Sequence, residues 1–526
     1  VARFAAEGAA EMGRGVYTLV LRLLAPLLWL LMWRRARKAG GQWGILSAGR
    51  FGGADAASAG SGPSEGALGD SAGGASGEAS SDGNPLAGTQ AAGSAPIAPV
   101  WVHAVSLGET RASQPLVQAL LARGLPVLLT HTTATGRAEG ARLYADALAS
   151  GQLRQAWLPY DLPGSVARFL DRYAPRCGLL VEREVWPNLL AGARARRVPM
   201  ALVSARFSES SLRQARWLGG ALRQALAGLD VVLAQTDDDA RRLRQAGAPA
   251  ATVTGNLKFD LDLPAAQVAA GHAWRQALGR PVIALASTRE GEDALFIEAL
   301  LARGLHRAPS ETAELGGAKH VEAAASGEIA ASGETAASGE TAVLGETVAS
   351  GETAASDETA ALGDSAPLYL LIPRHPQRFD QAHAQLRAAG LATVRRSAGG
   401  SPPGADTAVL LGDSLGEMPF YYAAADVAVV AGSFAPLGGQ NLIEASAAGT
   451  PVIVGPHTRN FAQAVDDALA AGAALRAQDA AEAVDMALAL LADAPRRQAM
   501  RIAARYWTEA HAGATQRTMQ ALQGWF

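Results

Sequence analysis

A single cysteine, Cys177, stands among 526 residues. No intrachain disulfide can form, a cysteine-rich metal site is excluded, and a reducing compartment fits. Aromatic residues make up 6% of the chain. Nowhere do they interleave with Arg and Lys in the manner of a single-strand groove, so nucleic acid ranks low as a partner. The formal net charge is −3, but that total hides an asymmetry. Glu311 to Asp364 holds 11 acidic residues against Lys319 alone, a local charge of −10, which leaves +7 on the remainder. A mildly basic body suits anionic substrates or an anionic membrane surface.

Large apolar residues are almost missing from two tracts. Gly49 to Pro99 is rich in Gly, Ala and Ser and cannot offset the entropy cost of its own ordering, so it reads as a linker. The second tract, 308–366, repeats a six-residue unit of the ASGETA kind. A β-solenoid would need a bulky aliphatic residue at a fixed place in each turn, and none recurs. A solvated surface insertion is the better reading. Deleting Ala323 to Ala361 is therefore expected to leave soluble, active protein, and loss of either on deletion would overturn the insertion reading.

Long apolar character is concentrated at the start. Val16 to Trp33 is an apolar run broken by Arg22 and Pro26 and followed by Arg34, Arg35, Arg37 and Lys38. Positive charge after rather than before the run argues for an anchor over a cleaved signal peptide, and places the chain beyond Arg34 in the cytoplasm. Trp29 and Trp33 beside the basic cluster suit a membrane interface. The run is barely long enough to span. A spanning helix, a tilted or monotopic insertion, and a buried core helix all remain compatible with it.

Elsewhere, short apolar runs alternate with amphipathic helical stretches, the pattern of an α/β fold with parallel sheets and crossover helices. The length allows two or more such domains. One array has strands predicted at Val100–Val105, Val127–His131, Gly178–Val181, Met200–Val203, Val231–Ala234 and Ala251–Thr254. The second has them at Val282–Ala286, Leu368–Ile372, Thr407–Leu410, Val427–Ala431 and Pro451–Val454. A boundary is expected near Leu261 to Gly271. The expected organisation is an anchor and basic flank at 1–48, a linker at 49–99, a Rossmann-like domain at 100–265, and a second at 272–526 interrupted at 308–366. Ligands of such sheets bind at the carboxyl ends of strands, so the loops after the strands carry the chemistry, and two facing domains would form a cleft.

Those loops hold several candidates. Glu109 follows Gly108 after the first strand. It is either a cleft-facing carboxylate or a helix-start carboxylate favoured by the macrodipole. Glu182 and Glu184 lie astride Arg183 at another strand end, where a structural ion-pair cluster is the plainer alternative. Lys258 sits at a third strand end, where a lone lysine is usually solvated. Asp237, Asp238 and Asp239 form an acidic first helical turn rather than a metal site. In the second array Pro373 and Arg374 follow a strand, and a guanidinium there can pair bidentately with phosphate, against the alternative of a solvated loop arginine. Gly438 and Gly439 lead into Asn441, Leu442, Ile443 and Glu444, a turn whose backbone N–H groups attract anions if it is more than a plain glycine turn.

Eleven blocks occur in order: WVHAVSLGE, TTATG, LPYDLP, EREVWPN, SARFS, GNLKFD, STREGE, PRHPQRF, GDSLGEM, GGQNLIEA and GPHTRNF. Together they resemble the Kdo (3-deoxy-D-manno-octulosonic acid) transferases of lipopolysaccharide assembly, a glycosyltransferase family of the GT-B type. The resemblance implies two Rossmann-like domains facing a central cleft, behind an N-terminal membrane anchor helix at the cytoplasmic face of the inner membrane. It implies a CMP-Kdo donor, a lipid A precursor as acceptor, and no cofactor. By the same resemblance Glu109 is the general base and Glu182 and Lys258 stabilise the transition state. CMP would be held by Pro373-Arg374, Leu415-Gly416-Glu417 and Asn441-Leu442-Ile443-Glu444. The chain departs from the family pattern at Arg183, where Thr is usual, at Arg289, where STHEGE is usual, and at Gln440 and Leu442, where GGHNPLE is usual.

CMP is a good leaving group, so one positioned carboxylate suffices to deprotonate the acceptor hydroxyl, and inversion at the anomeric carbon is expected. Two rivals stand beside this reading. One is a membrane-associated GT-B enzyme using another nucleotide sugar, separated by nucleotide preference. The other is a catalytically silent nucleotide-sugar binder, separated by a turnover assay.

Overall fold

The computed structural model describes residues 2–39, 43–54, 97–218, 220–305 and 366–526. They fall into two units, Val1–Asp262 with Thr508–Phe526, and Leu263–Trp507.

The first unit is built on a parallel sheet of β1 Val100–His103, β2 Val127–His131, β3 Leu153–Trp157, β4 Cys177–Val181, β5 Met200–Ala205, β6 Val231–Ala234 and β7 Thr252–Val253, in the order β3-β2-β1-β4-β5-β6-β7. Alternate side chains of one strand point to opposite faces. Trp101, Leu128 and Leu180 accordingly join one core with Phe169 and Leu189. Val100, Val102, Leu129, Leu179 and Val181 join another with Leu116 and Leu120. Being covered on both faces is why the inner strands read as continuous apolar runs.

The second unit repeats the plan with β8 Val282–Thr288, β9 Leu368–Pro373, β10 Thr393–Arg395, β11 Val409–Leu411, β12 Val427–Val430, β13 Val452–Val454 and β14 Ala474–Arg476, in the order β10-β11-β9-β8-β12-β13-β14. Strand order reverses between β1 and β4 in one sheet and between β8 and β12 in the other. Such a switch point opens a crevice at the carboxyl ends, where ligands of doubly wound sheets bind.

Eleven of the fourteen strands coincide with those expected from sequence, to within two residues at most ends. The three unexpected ones, β3, β10 and β14, are all sheet edges, and each carries polar residues, Arg154 and Gln155, Thr393 and Arg395, and Arg476. Leu153-Arg154-Gln155-Ala156-Trp157 and Thr393-Val394-Arg395 carry too little apolar character to announce a strand. Their neighbours in the sheet supply the pairing.

Two boundaries differ from those read in the sequence. Residues 508–526, expected with the second domain, pack on the first. The Asp260 carboxylate accepts the N–H of Gly513 at 2.6 Å and of Ala514 at 3.3 Å, and also that of Thr515. Arg517 Nε reaches the Thr254 carbonyl at 2.8 Å. The linker expected from Gly49 begins later. Ala48–Phe51 forms a 3-10 turn against the first unit, closed by Gly52 at φ +81°, a conformation that favours glycine. Residues 55–96 and 306–365, with the hexapeptide repeats, lie outside the described residues.

The N-terminal helix runs Ala2–Ala39 with Pro26 inside it. Its stretch Gly13–Arg37 is long and apolar enough, by length and composition, to cross a membrane, and little of it is buried in the protein. Leu19, Leu23 and Leu27 project from it, each more than half exposed. The opposite side is docked. Tyr17 OH donates to Asp161 Oδ2 at 2.9 Å and Thr18 Oγ1 donates to Asn188 Oδ1 at 3.1 Å. The same Asp161 carboxylate accepts the N–H groups of Asn188 and Leu189 at the start of helix Pro187–Ala195.

Candidate functional site

In the first unit the loops after β1 and β4 flank the switch point. After β1 the chain turns through Ala104 and Val105 into helix Leu107–Ala112, with Ser106 as N-cap and Glu109 at its third position. Ser106 Oγ accepts the Glu109 N–H, and Glu109 Oε2 accepts those of Val105 at 2.6 Å and Ser106 at 3.3 Å. This reciprocal capping box means that the helix-start role weighed for Glu109 is real. It does not exclude a chemical one. Burial, then the negative charges of Glu182 and Glu184, push the Glu109 carboxyl up to about 8, against the opposing pull of the two backbone N–H donors. Proton affinity shifted towards neutrality by desolvation and like charge is what a general base uses.

After β4, Glu182 is held at φ +62°, rare for a residue with a side chain. Such strain costs about 1–3 kcal/mol and collects at functional sites. Its N–H donates to the Val203 carbonyl at 3.0 Å, and its own carbonyl accepts the Arg206 N–H at 3.2 Å. Lys258 Nζ lies 2.6 Å from Glu182 Oε1, both side chains being largely buried. Burial alone would raise the Glu182 pKa, but Lys258, with the charges of Arg206 and Arg183, outweighs it and the carboxyl is held below its ordinary value.

A second strained residue brings the lysine there. Ser204, at φ +49° where the β5–β6 register shifts, presents Oγ to the Leu257 N–H at 3.3 Å and its carbonyl to Gln235. That anchors the 3-10 turn Leu257–Asp260, whose second residue is Lys258. Glu184 completes the group. Its Oε2 accepts from Trp186 Nε1 at 2.9 Å and lies 3.6 Å from the buried His103 ring. Three carboxylates from two loops and one lysine from a third thus share the switch point.

In the second unit the loops after β8 and β12 are fastened by one buried carboxylate. Glu292 opens helix Glu292–Leu301. It accepts the N–H groups of Arg289 at 2.8 Å, Gly432 at 2.7 Å, Phe434 at 2.9 Å and Ala435 at 3.2 Å. Arg374 follows β9, its N–H bonded to the Thr288 carbonyl at 2.9 Å. Gly438 and Gly439 turn with φ of +96° and +82°. Asn441 lies two residues before the short helix Ile443–Ala447, its Oδ1 accepting the Ile443 N–H at 3.1 Å and its Nδ2 donating to Glu444 Oε1 at 3.3 Å. The charges of Arg374 and Glu444 both act on the buried Tyr422. Burial first, then the Glu444 charge, raises that phenol, while Arg374 works against them.

Leu415-Gly416-Glu417 comes just before the helix Met418–Ala424. Leu415 is 73% exposed, Gly416 turns at φ +80°, and Glu417 pairs with Arg396 at 3.1 Å and takes the Ser414 hydroxyl. Among the described residues no group of three or more His, Cys, Asp and Glu is disposed to hold a metal ion.

Comparison with known proteins bears on this geometry. Residues 78–261 match the family model of 3-deoxy-D-manno-octulosonic-acid transferase, and 383–507 match that of glycosyl transferases group 1. A 3-deoxy-D-manno-octulosonic acid transferase of Bordetella pertussis is 62% identical over 98% of this chain and 100% of its own. The chain belongs to the Kdo transferases. A Kdo transferase of Haemophilus influenzae is 28% identical over 74% of this chain and 78% of its own. Among solved structures, the C-terminal CMP-Kdo binding domain of WaaA from Acinetobacter baumannii aligns at 26% identity over 46% of this chain and 97% of that domain, with a TM-score of 0.33.

Within this Kdo transferase, Glu109, Glu182 and Lys258 share one neighbourhood, as do Arg374 and Glu444. Sequence alone assigns no role to His103, Ser204 or Glu292, although each lies in one of the eleven blocks. Lys258 did carry a usable signal. It is one of three lysines in a chain that otherwise relies on arginine for positive charge.

Proposed function

We propose that the chain transfers Kdo from CMP-Kdo to a lipid A precursor with inversion. The observation that carries the mechanism is Glu109, a carboxylate at the switch point whose proton affinity burial and then two neighbouring carboxylates raise. Glu109 takes the proton of the acceptor hydroxyl, and that oxygen bonds to the anomeric carbon. The bond from this carbon to the phosphate oxygen breaks, its electron pair leaving with CMP. The fixed Glu182–Lys258 pair stabilises the charge that shifts in the transition state, and needs no reorganisation to do so.

In this reading Pro373-Arg374, Leu415-Gly416-Glu417 and Asn441-Leu442-Ile443-Glu444 hold CMP in the second of two GT-B type Rossmann-like domains. The helix Gly13–Arg37 anchors the enzyme in the inner membrane, with Arg34, Arg35, Arg37 and Lys38 against the anionic cytoplasmic surface. Arg37 lying 3.9 Å over the Trp33 ring supports an interfacial station. Incubation of purified protein with CMP-Kdo and a lipid A precursor should give a product heavier by Kdo in mass spectrometry. A UDP-sugar consumed in its place would reject the donor assignment.

Arg374→Ala removes a charge-assisted contact to the CMP phosphate and should weaken CMP binding by about 2 kcal/mol. Unchanged affinity in calorimetry would take Arg374 out of the site.

A further inference from the structure

Arg50 is 1% exposed, an unusual fate for a guanidinium, and it comes from the short strap Trp43–Ala54 that comes after the N-terminal helix. The strap is fastened along its length. Tyr160 OH donates to the Ile45 carbonyl at 2.6 Å, the Tyr160 N–H donates to the Arg50 carbonyl at 2.8 Å, and Arg168 Nε donates to the Phe51 carbonyl at 2.8 Å. Phe51 packs on Tyr160 at 5.4 Å and on Trp29 of the N-terminal helix at 5.9 Å. The Arg50 guanidinium lies 4.2 Å over the Trp157 ring, an aromatic face that favours a desolvated cation. From there Nη2 donates to the Trp43 carbonyl at 3.2 Å and to the Thr132 carbonyl at 2.6 Å.

Thr132 is where the strap meets the base. The Thr132 and Thr133 N–H groups, each at 3.2 Å, and Thr133 Oγ1 at 3.0 Å all donate to the Val105 carbonyl. Val105 in turn donates its N–H to Glu109 Oε2 at 2.6 Å. Little slack remains in this path. Gly136 sits so close that a Cβ there would meet the Val105 carbonyl oxygen at 3.1 Å and the Ser106 carbonyl carbon at 3.0 Å. The route Arg50–Thr132–Val105–Glu109 is therefore three consecutive hydrogen bonds within one unit.

We propose that Arg50 is a positioning residue for Glu109, fixing the Thr132 carbonyl so that the Val105 amide holds the carboxylate in its reactive place. This rests on the reading of Glu109 as the base. Small displacements of a catalytic group cost large factors in rate, and residues acting as a unit lose rate non-additively.

The experiment is a double-mutant cycle on the full chain, measuring kcat at saturating CMP-Kdo and acceptor. Arg50→Ala should lower kcat about tenfold or more with CMP affinity unchanged. In the Glu109→Gln background it should change the residual rate by less than about twofold. A purely structural Arg50 would instead reduce both backgrounds by the same factor, and that result overturns the proposal, as does an Arg50→Ala enzyme with wild-type kcat. If Arg50→Ala does not fold, Arg50→Lys serves the same cycle with the same criteria, since lysine keeps the charge but cannot span both carbonyls from a plane stacked on Trp157. Glu109→Gln alone keeps the two failures apart. Near-normal turnover of that single variant removes the base reading and this proposal together, whereas a crippled Glu109→Gln with additive Arg50→Ala removes only the latter.

Discussion

Glu109→Gln should lower turnover by about a hundredfold or more, the scale of general base catalysis, while CMP binding stays near wild type. Glutamine retains the acceptor oxygen that the capping box uses, so loss of rate would not be a folding defect. The pH dependence sharpens the test. With the Glu109 carboxyl pushed up to about 8 by burial and by Glu182 and Glu184, the free enzyme at neutral pH holds a proton where the base must be empty. Wild-type kcat/KM should therefore climb through the neutral range with a midpoint near 8. The glutamine variant should lose that limb.

Stability moves the other way. From the ordinary 4.5 to about 8 the folded carboxyl keeps a proton that the unfolded one has lost, so this group's contribution falls as pH rises across the window. Glu109→Gln abolishes that loss, and its melting temperature relative to wild type should improve towards alkaline pH. Turnover within a few-fold of wild type would return Glu109 to a capping residue and make Glu182 the candidate base.

How much of this site the sequence disclosed depends on the range of the interaction concerned. The inner strands were readable because burial on both faces leaves runs such as Val427-Ala428-Val429-Val430 with no polar interruption. The edges β3, β10 and β14 were not, because Arg154 and Gln155, Thr393 and Arg395, and Arg476 break or shorten their apolar runs. Glu109 and Glu182 were readable as strand-end carboxylates. Their mutual repulsion was not, since it depends on β1 lying beside β4 in the sheet. The plain alternative for Lys258, a solvated lysine, is replaced by a buried partner 76 residues away. Arg50 was beyond reach. It sits among Gly and Ala at the head of a tract that reads as linker, and only Trp157, Tyr160 and Thr132 turn it into an interior residue.

Lys258→Met is expected to damage stability and activity together, because it leaves Glu182 without its ammonium in a site from which both side chains exclude most water. Removing one partner of a buried pair strands the other charge, and about 3 kcal/mol of stability should be lost in denaturant unfolding at neutral pH. The pH dependence identifies the cause. The folded Glu182 carboxyl is held below its ordinary 4.5, burial being outweighed by Lys258 together with Arg206 and Arg183. Stability from this pair is therefore present above 4.5 and lost as pH falls through the lower folded value. Wild type and Lys258→Met should thus converge in acid and diverge at neutral pH. Activity adds a separate readout. With Lys258 gone, burial drives Glu182 towards its neutral form, and a neutral Glu182 no longer repels Glu109. The alkaline limb of kcat/KM should shift down from about 8 even as kcat falls through loss of the fixed positive charge. A Lys258→Met enzyme with unchanged stability at neutral pH and an unmoved limb would mean that Lys258 is held by other partners and that the pair is no part of the catalytic electrostatics.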